Sequence, residues 1–212
     1  MQLLKNRRSV AWLVIVLVLL IDQATKIWVK THFMLGEEYR IFSWFRIYFV
    51  EKEGMAFGMK MGGKMLLSLF RLVAAVGIGW YLHRSIVRKE NYGQIVCFAL
   101  IFVGALGNII DGCFYGKLFS DSYGRVAEMF PAAGGYADFL YGRVVDMLYF
   151  PLLQGTFPDW FPVWGGEHFI FFRPVFNVAD VAITGSVLAM IVFFRKIFPA
   201  PAKQEETPKQ PE

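Results

Sequence analysis

Cysteine, histidine and charge are all scarce in this chain of 212 residues. Its two cysteines, Cys97 and Cys113, lie inside and just beyond one apolar run, which argues against a disulfide framework or a metal cluster and leaves them as small packing residues. The three histidines, His32, His83 and His168, are scattered without the His-Glu-x-x-His spacing of a zinc peptidase, so no metal is expected. Only 18% of residues are charged, and the net charge of +5 is spread over the flanks of apolar runs instead of forming the single basic stripe that nucleic-acid binding needs. No internal repeat relates the two halves, and Ser186 has no histidine or lysine at its depth to activate it, so it reads as a helix-packing serine.

What the chain has in excess is apolar surface: 56% hydrophobic residues and a mean hydropathy of +0.45. Four apolar runs, 10–29, 65–82, 94–111 and 174–194, approach the ~20 residues that cross a bilayer as a helix. The first follows Lys5, Arg7 and Arg8 like a secretory signal, yet it carries Asp22 and Lys26 and lacks a small-x-small cleavage site, so it is expected to stay as the first helix. Basic residues crowd the N-terminus, the short turn at 83–93 and the end of the last run, which predicts cytoplasmic termini. The fold class predicted is a polytopic α-helical membrane protein with four transmembrane helices in one domain over 1–198. The Pro-, Lys-, Glu- and Gln-rich segment 199–212 is expected to be a disordered cytoplasmic tail.

Threading these spans brings Asp22, Asp111, Asp146 and Asp180 to the outer face of the bilayer. A charged carboxylate in hydrocarbon costs at least about 2.5 to 3.5 kcal/mol, so several at one depth demand partners, water or a wet outward cleft. Any one of them alone is explained by pairing with Lys26, Arg143 or Arg173; four together point to a reaction site. Asn108 and Asp111, and again Asn177 and Asp180, stand three apart on a helix face, so each amide is placed to orient a carboxylate. Gly104, Ala105 and Gly107 clear room for close backbone approach. The aromatic and β-branched stretch 41–50 predicts strand, and Trp160, Phe161 and Trp164 in the long 112–173 segment suit the membrane interface.

Four short motifs, Asp22-Gln23-Ala24-Thr25-Lys26, Gly107-Asn108-Ile109-Ile110-Asp111, Gly142-Arg143-Val144-Val145-Asp146 and Phe176-Asn177-Val178-Ala179-Asp180, together resemble in order and topology the motif set of bacterial lipoprotein signal peptidase, the type II signal peptidase. The resemblance implies a multi-pass aspartic endopeptidase of the inner membrane with a periplasmic-facing site. Such an enzyme removes signal peptides from prolipoproteins before a diacylglyceryl-modified cysteine, without a cofactor, as a monomer whose partners are those substrates and membrane lipids. It places the catalytic pair at Asp146 and Asp180, supported by Asp22, Lys26, Asn108, Asp111, Asn177 and Ala179, with Gly54 and Ala56 closing over substrate and the 41–50 strand region forming a small outer sheet that cradles it. Two carboxylates sharing a site cannot both ionise easily, which supplies an acid and a base together. Two departures stand out: Lys52 where the family usually has asparagine, and Gly112 where it usually has arginine. The stretch between Asp111 and Asp146 is also longer than the family norm. Two other classes stay open at this point. A proton-coupled transporter would also carry carboxylates in its spans, and a noncatalytic membrane scaffold would tolerate Asn at 146 and 180.

Overall fold

A computed structural model describes residues 6–52 and 62–198, with backbone alone at 62–65 and 67. Gly54, Ala56 and the 199–212 segment lie outside the described residues. In chain order the elements are helix α1 (Arg7–His32), strands β1 (Glu38–Phe42) and β2 (Phe45–Lys52), helices α2 (Gly62–Val87) and α3 (Tyr92–Ile110), a π-helical turn at Asp111–Tyr115, the single turn α4 (Gly116–Leu118), strands β3 (Val144–Tyr149), β4 (Leu153–Thr156), β5 (His168–Phe171) and β6 (Val175–Phe176), and helices α5 (Val178–Val192) and α6 (Phe194–Ile197).

Helices α1 and α2 outrun their apolar runs at both ends, and α3 begins two residues before its run. Asn6 accepts from Arg8 N at the start of α1, and Asn91 accepts from Gly93 N at the start of α3. The fourth run predicts a helix from 174, but α5 begins only at Val178. Val175 and Phe176 instead pair with Tyr149 and Leu148 of β3, and Asn177 then caps α5 with a reciprocal capping box to Asp180. The capping asparagine therefore marks the junction of sheet and helix.

Helix α3 is the axis of the bundle, packed against α1, α2 and α5. Among the described residues, two helical segments, Arg7–His32 and Tyr92–Leu118, are long and apolar enough to cross a membrane. Large side chains such as Leu17, Leu20, Phe70, Val76 and Ile191 point away from the protein, the surface a helix bundle presents to lipid.

A four-stranded antiparallel sheet, ordered β1-β2-β3-β6, stands at the end of the bundle. The 41–50 stretch predicted as strand is interrupted by a turn at Ser43 and Trp44, so it forms the facing parts of a hairpin. On β3 the side chains alternate: Val145 and Met147 join a core with Val29, Phe33, Phe49, Tyr115 and Phe119, which sends Asp146 to the opposite face. The second, two-stranded sheet of β4 and β5 is an aromatic hairpin in which Phe157 packs against Phe161, Trp164 and Phe169.

Candidate active site

The first half of the site is a buried charge cluster between α1 and α3. Asp22 and Lys26 are one helical turn apart on α1, and Lys26 Nζ lies 2.9 Å from Asp22 Oδ2 and 2.8 Å from Asp111 Oδ2. One ammonium thus serves two carboxylates, and it donates a third bond to Asn108 Oδ1 at 3.0 Å. Gln23 Nε2 spans the same two acids at 3.1 Å each, while its own Oε1 accepts from Tyr115 Oη at 3.1 Å. All three charged side chains are almost wholly inaccessible, so each must be satisfied internally.

This cluster also holds neighbouring elements in place. Asp22 Oδ1 accepts from Ala179 N at 2.9 Å, in the first turn of α5, where unpaired backbone donors favour an anion. Asp111 Oδ2 accepts from Val145 N at 3.3 Å, on the strand that carries Asp146. Close approach needs the glycines: a Cβ on Gly104 would stand 2.5 Å from Ala179 O, and one on Gly107 2.6 Å from Asp22 Oδ2. Gly142 lies so close to the backbone of Asp111 that a Cβ there would be 2.1 Å from its carbonyl oxygen.

Asp146 and Asp180 form the second half, and asparagines tie them together crosswise. Asn177 Nδ2 donates to Asp146 Oδ1 at 2.7 Å, and Asn177 Oδ1 accepts from Asp180 N at 2.9 Å. Asn108 Nδ2 donates to Asp180 Oδ1 at 2.9 Å. The i and i+3 spacing read from the sequence pairs Asn108 with Asp111; in the fold Asn108 orients Asp180 across the α3–α5 interface instead. Asp146 is fully buried, whereas Asp180 is half-buried. Burial pushes the Asp146 carboxyl above the usual carboxylate range, the Lys52 ammonium pulls it back, and the nearby Asp180 pushes it up again.

The structure thus brings together Asp22, Lys26, Asn108, Asp111, Asn177, Ala179, Asp146 and Asp180, and Gly54 and Ala56 lie outside the described residues. Arg143 does not serve these aspartates. Its Nη1 pairs with Glu51 at 3.2 Å and Asp121 at 3.1 Å, and its guanidinium lies over the ring of Tyr136. Glu51 also pairs with Lys30, which donates to Ser122 Oγ at 2.9 Å, so this staple fastens the long segment after α4 to α1 and β2. Ser186 Oγ bonds back to Ile183 O at 2.9 Å, as a packing serine does. Sequence reasoning passed over Gln23, the Lys30–Glu51 staple and Arg71, which lines a small hollow with Asn108 and Gly112. The Gln23 role had a signal, since it sits inside a quoted motif; the others depend on long-range contacts.

Comparison with known proteins shows which family the chain resembles. A family model described as Signal peptidase (SPase) II matches residues 14–196. The chain is 50% identical over 186 residues to the lipoprotein signal peptidase of Porphyromonas gingivalis strain W83, a match covering 86% of this chain and 82% of that relative. It is 34% identical over 199 residues to the lipoprotein signal peptidase of Amoebophilus asiaticus, covering 90% of this chain and 79% of that one. A bacterial membrane enzyme solved by the in meso method at 2.3 Å resolution shares the fold, with a TM-score of 0.58 at 22% identity over 93% of this chain and 94% of that one. The chain belongs to the signal peptidase II family of aspartic peptidases.

Proposed function

We propose that this protein removes signal peptides from prolipoproteins, cutting before a diacylglyceryl-modified cysteine, with Asp146 and Asp180 as its catalytic pair. The observation that carries this reading is Asn177, which donates to Asp146 at 2.7 Å and accepts from the Asp180 backbone at 2.9 Å. Its own backbone N–H also donates to Asp180 Oδ2 at 3.4 Å, so one residue touches two carboxylates from different elements. In the reaction, the ionised aspartate takes a proton from a water that attacks the scissile carbonyl carbon, while the protonated one hydrogen-bonds to the carbonyl oxygen. Collapse of the tetrahedral intermediate breaks the C–N bond, and the leaving amine takes up a proton from the pair.

The positioning groups support the same reading. Asn108 and Asn177 hold one oxygen of each carboxyl, while Lys52 stands at the second oxygen of Asp146 and Asn177 N at that of Asp180. The Asp22–Lys26–Asp111 cluster secures α5 and β3 through Ala179 N and Val145 N. We place four membrane-spanning helices in one domain, both termini in the cytoplasm, and the sheet at the outer face of the inner membrane, where a lipidated cysteine would be presented. The test is to incubate purified protein in detergent with a diacylglyceryl-modified prolipoprotein and with its unmodified form. Cleavage before the cysteine of the modified form alone is expected; no cleavage of several modified substrates overturns the proposal.

A further inference from the structure

We propose that Lys52 is a positioning residue of this pair, whose ammonium offsets the burial of Asp146 and favours its carboxylate form. The inference rests on Asp146 and Asp180 being the catalytic pair. Lys52 Nζ lies 2.5 Å from Asp146 Oδ2 and donates to Val175 O at 2.7 Å. Asp180, by contrast, accepts from neutral groups, Asn108 Nδ2 at 2.9 Å and Asn177 N at 3.4 Å. The two carboxyls share a site, and the cation stands at one of them.

Strand register dictates this placement. Val50 pairs with Asp146 and Lys52 with Val144 across β2 and β3, so Lys52, two residues beyond Val50, lies on the Asp146 face within diagonal reach. Glu51, paired with Val145, points the other way into the Lys30 and Arg143 staple. Adjacent residues of one strand therefore serve two sides, Glu51 the fold and Lys52 the site. The Lys52 side chain is 52% exposed beside a buried carboxylate, so the ammonium keeps its hydration while countering the charge.

Charged and polar groups reach this region from each packed element. Lys52 comes from β2, and Asn177 and Asp180 from the α5 cap and first turn. Asn108 comes from α3, with Arg71 of α2 beside it. Asp111 bonds Val145 N and is compensated by Lys26. Burial raises the Asp146 carboxyl and Lys52 opposes it, so removing the cation leaves the burial unopposed.

The experiment is the pH dependence of kcat/KM for prolipoprotein cleavage by wild type, Lys52→Met and Lys52→Arg, with melting temperatures recorded in the same detergent. Lys52→Met is expected to move the limb set by Asp146 upward by about 1 pH unit or more, and Lys52→Arg to leave it near its wild-type position. A Lys52→Met limb that stays in place while activity falls evenly at every pH overturns the inference, reducing Lys52 to a tie between β2 and β6. Should Lys52→Met be inactive or unfold, Lys52→Gln with a carbon-13 titration of the Asp146 carboxyl reads the same shift without turnover, and an unmoved titration overturns the inference. Asp146→Asn separates the two layers. If it keeps activity, the catalytic pair itself fails; if it is dead while Lys52→Met leaves the limb unmoved, only the role of Lys52 fails.

Discussion

Asn177 Nδ2 stands 2.7 Å from Asp146 Oδ1, joining the strand that carries one aspartate to the cap of the helix that carries the other. Asn177→Ala removes both the bond and the cap. Loss of the cap is expected to cost about 1 kcal/mol of stability. Loss of a hydrogen bond to a charged group, about 1.5 to 3 kcal/mol, would slow cleavage by about 10- to 150-fold. Melting temperature and single-turnover cleavage measured side by side separate the two effects.

Lys26 is the counter-charge for two buried acids, so Lys26→Met leaves Asp22 and Asp111 uncompensated. Such a break is expected to destabilise by about 3 to 5 kcal/mol. The triple variant Lys26→Met, Asp22→Asn, Asp111→Asn carries no charge at these positions and is expected to regain much of that loss. Thermal unfolding in detergent checks the order; a single variant as stable as wild type contradicts it.

Two glycines meet opposite demands, Gly104 at the α3–α5 interface and Gly112 in the π-helical turn after α3. Gly104→Ala puts a Cβ 2.5 Å from Ala179 O, a backbone atom that cannot rotate away, whereas Gly112→Ala meets nothing within 4 Å. The first is expected to cost about 1 to 3 kcal/mol and to lower activity by displacing Asp180, and the second to leave both near wild type. Paired melting and cleavage assays decide this.

Asp146 gives a pH signature of stability. Its folded-state pKa is raised, chiefly by burial, so the folded protein binds its proton more tightly than the unfolded chain. The resulting stabilisation is fully present below about 3.9, the unperturbed value, and is lost as pH rises through the folded value. Asp146→Asn does not titrate, so its melting temperature relative to wild type is expected to rise across that window, measured upward from about pH 4. A difference that is flat with pH contradicts the assignment.

Local spacing made part of this site legible. Asp22 and Lys26 at i and i+4 meet as one helical turn requires, and the small residues at 104 and 107 announce close contacts whose partners, α5 and the Asp22 side chain of α1, they do not name. The crossed pairing of Asn108 with Asp180 was not legible, because it depends on how α3 and α5 approach and not on spacing within either. Lys30 carries no local signal of a partner in the sequence. Its partner Glu51 is 21 residues away and Arg143 a further 92 beyond Glu51, so only the sheet brings the three together. Likewise the break of the 41–50 stretch at Ser43 and Trp44 is set by a turn in which Trp44 stacks with Phe42 and with Phe45, and period-2 patterning is blind to it.

The central claim, two aspartates acting on one water, is tested most directly by purifying Asp146→Asn and Asp180→Asn with wild type and timing cleavage of one diacylglyceryl-modified prolipoprotein. Matched melting curves serve as the folding control. Wild type is expected to release the signal peptide while each folded variant is reduced by about 10³-fold or more; either variant cleaving at the wild-type rate contradicts the account.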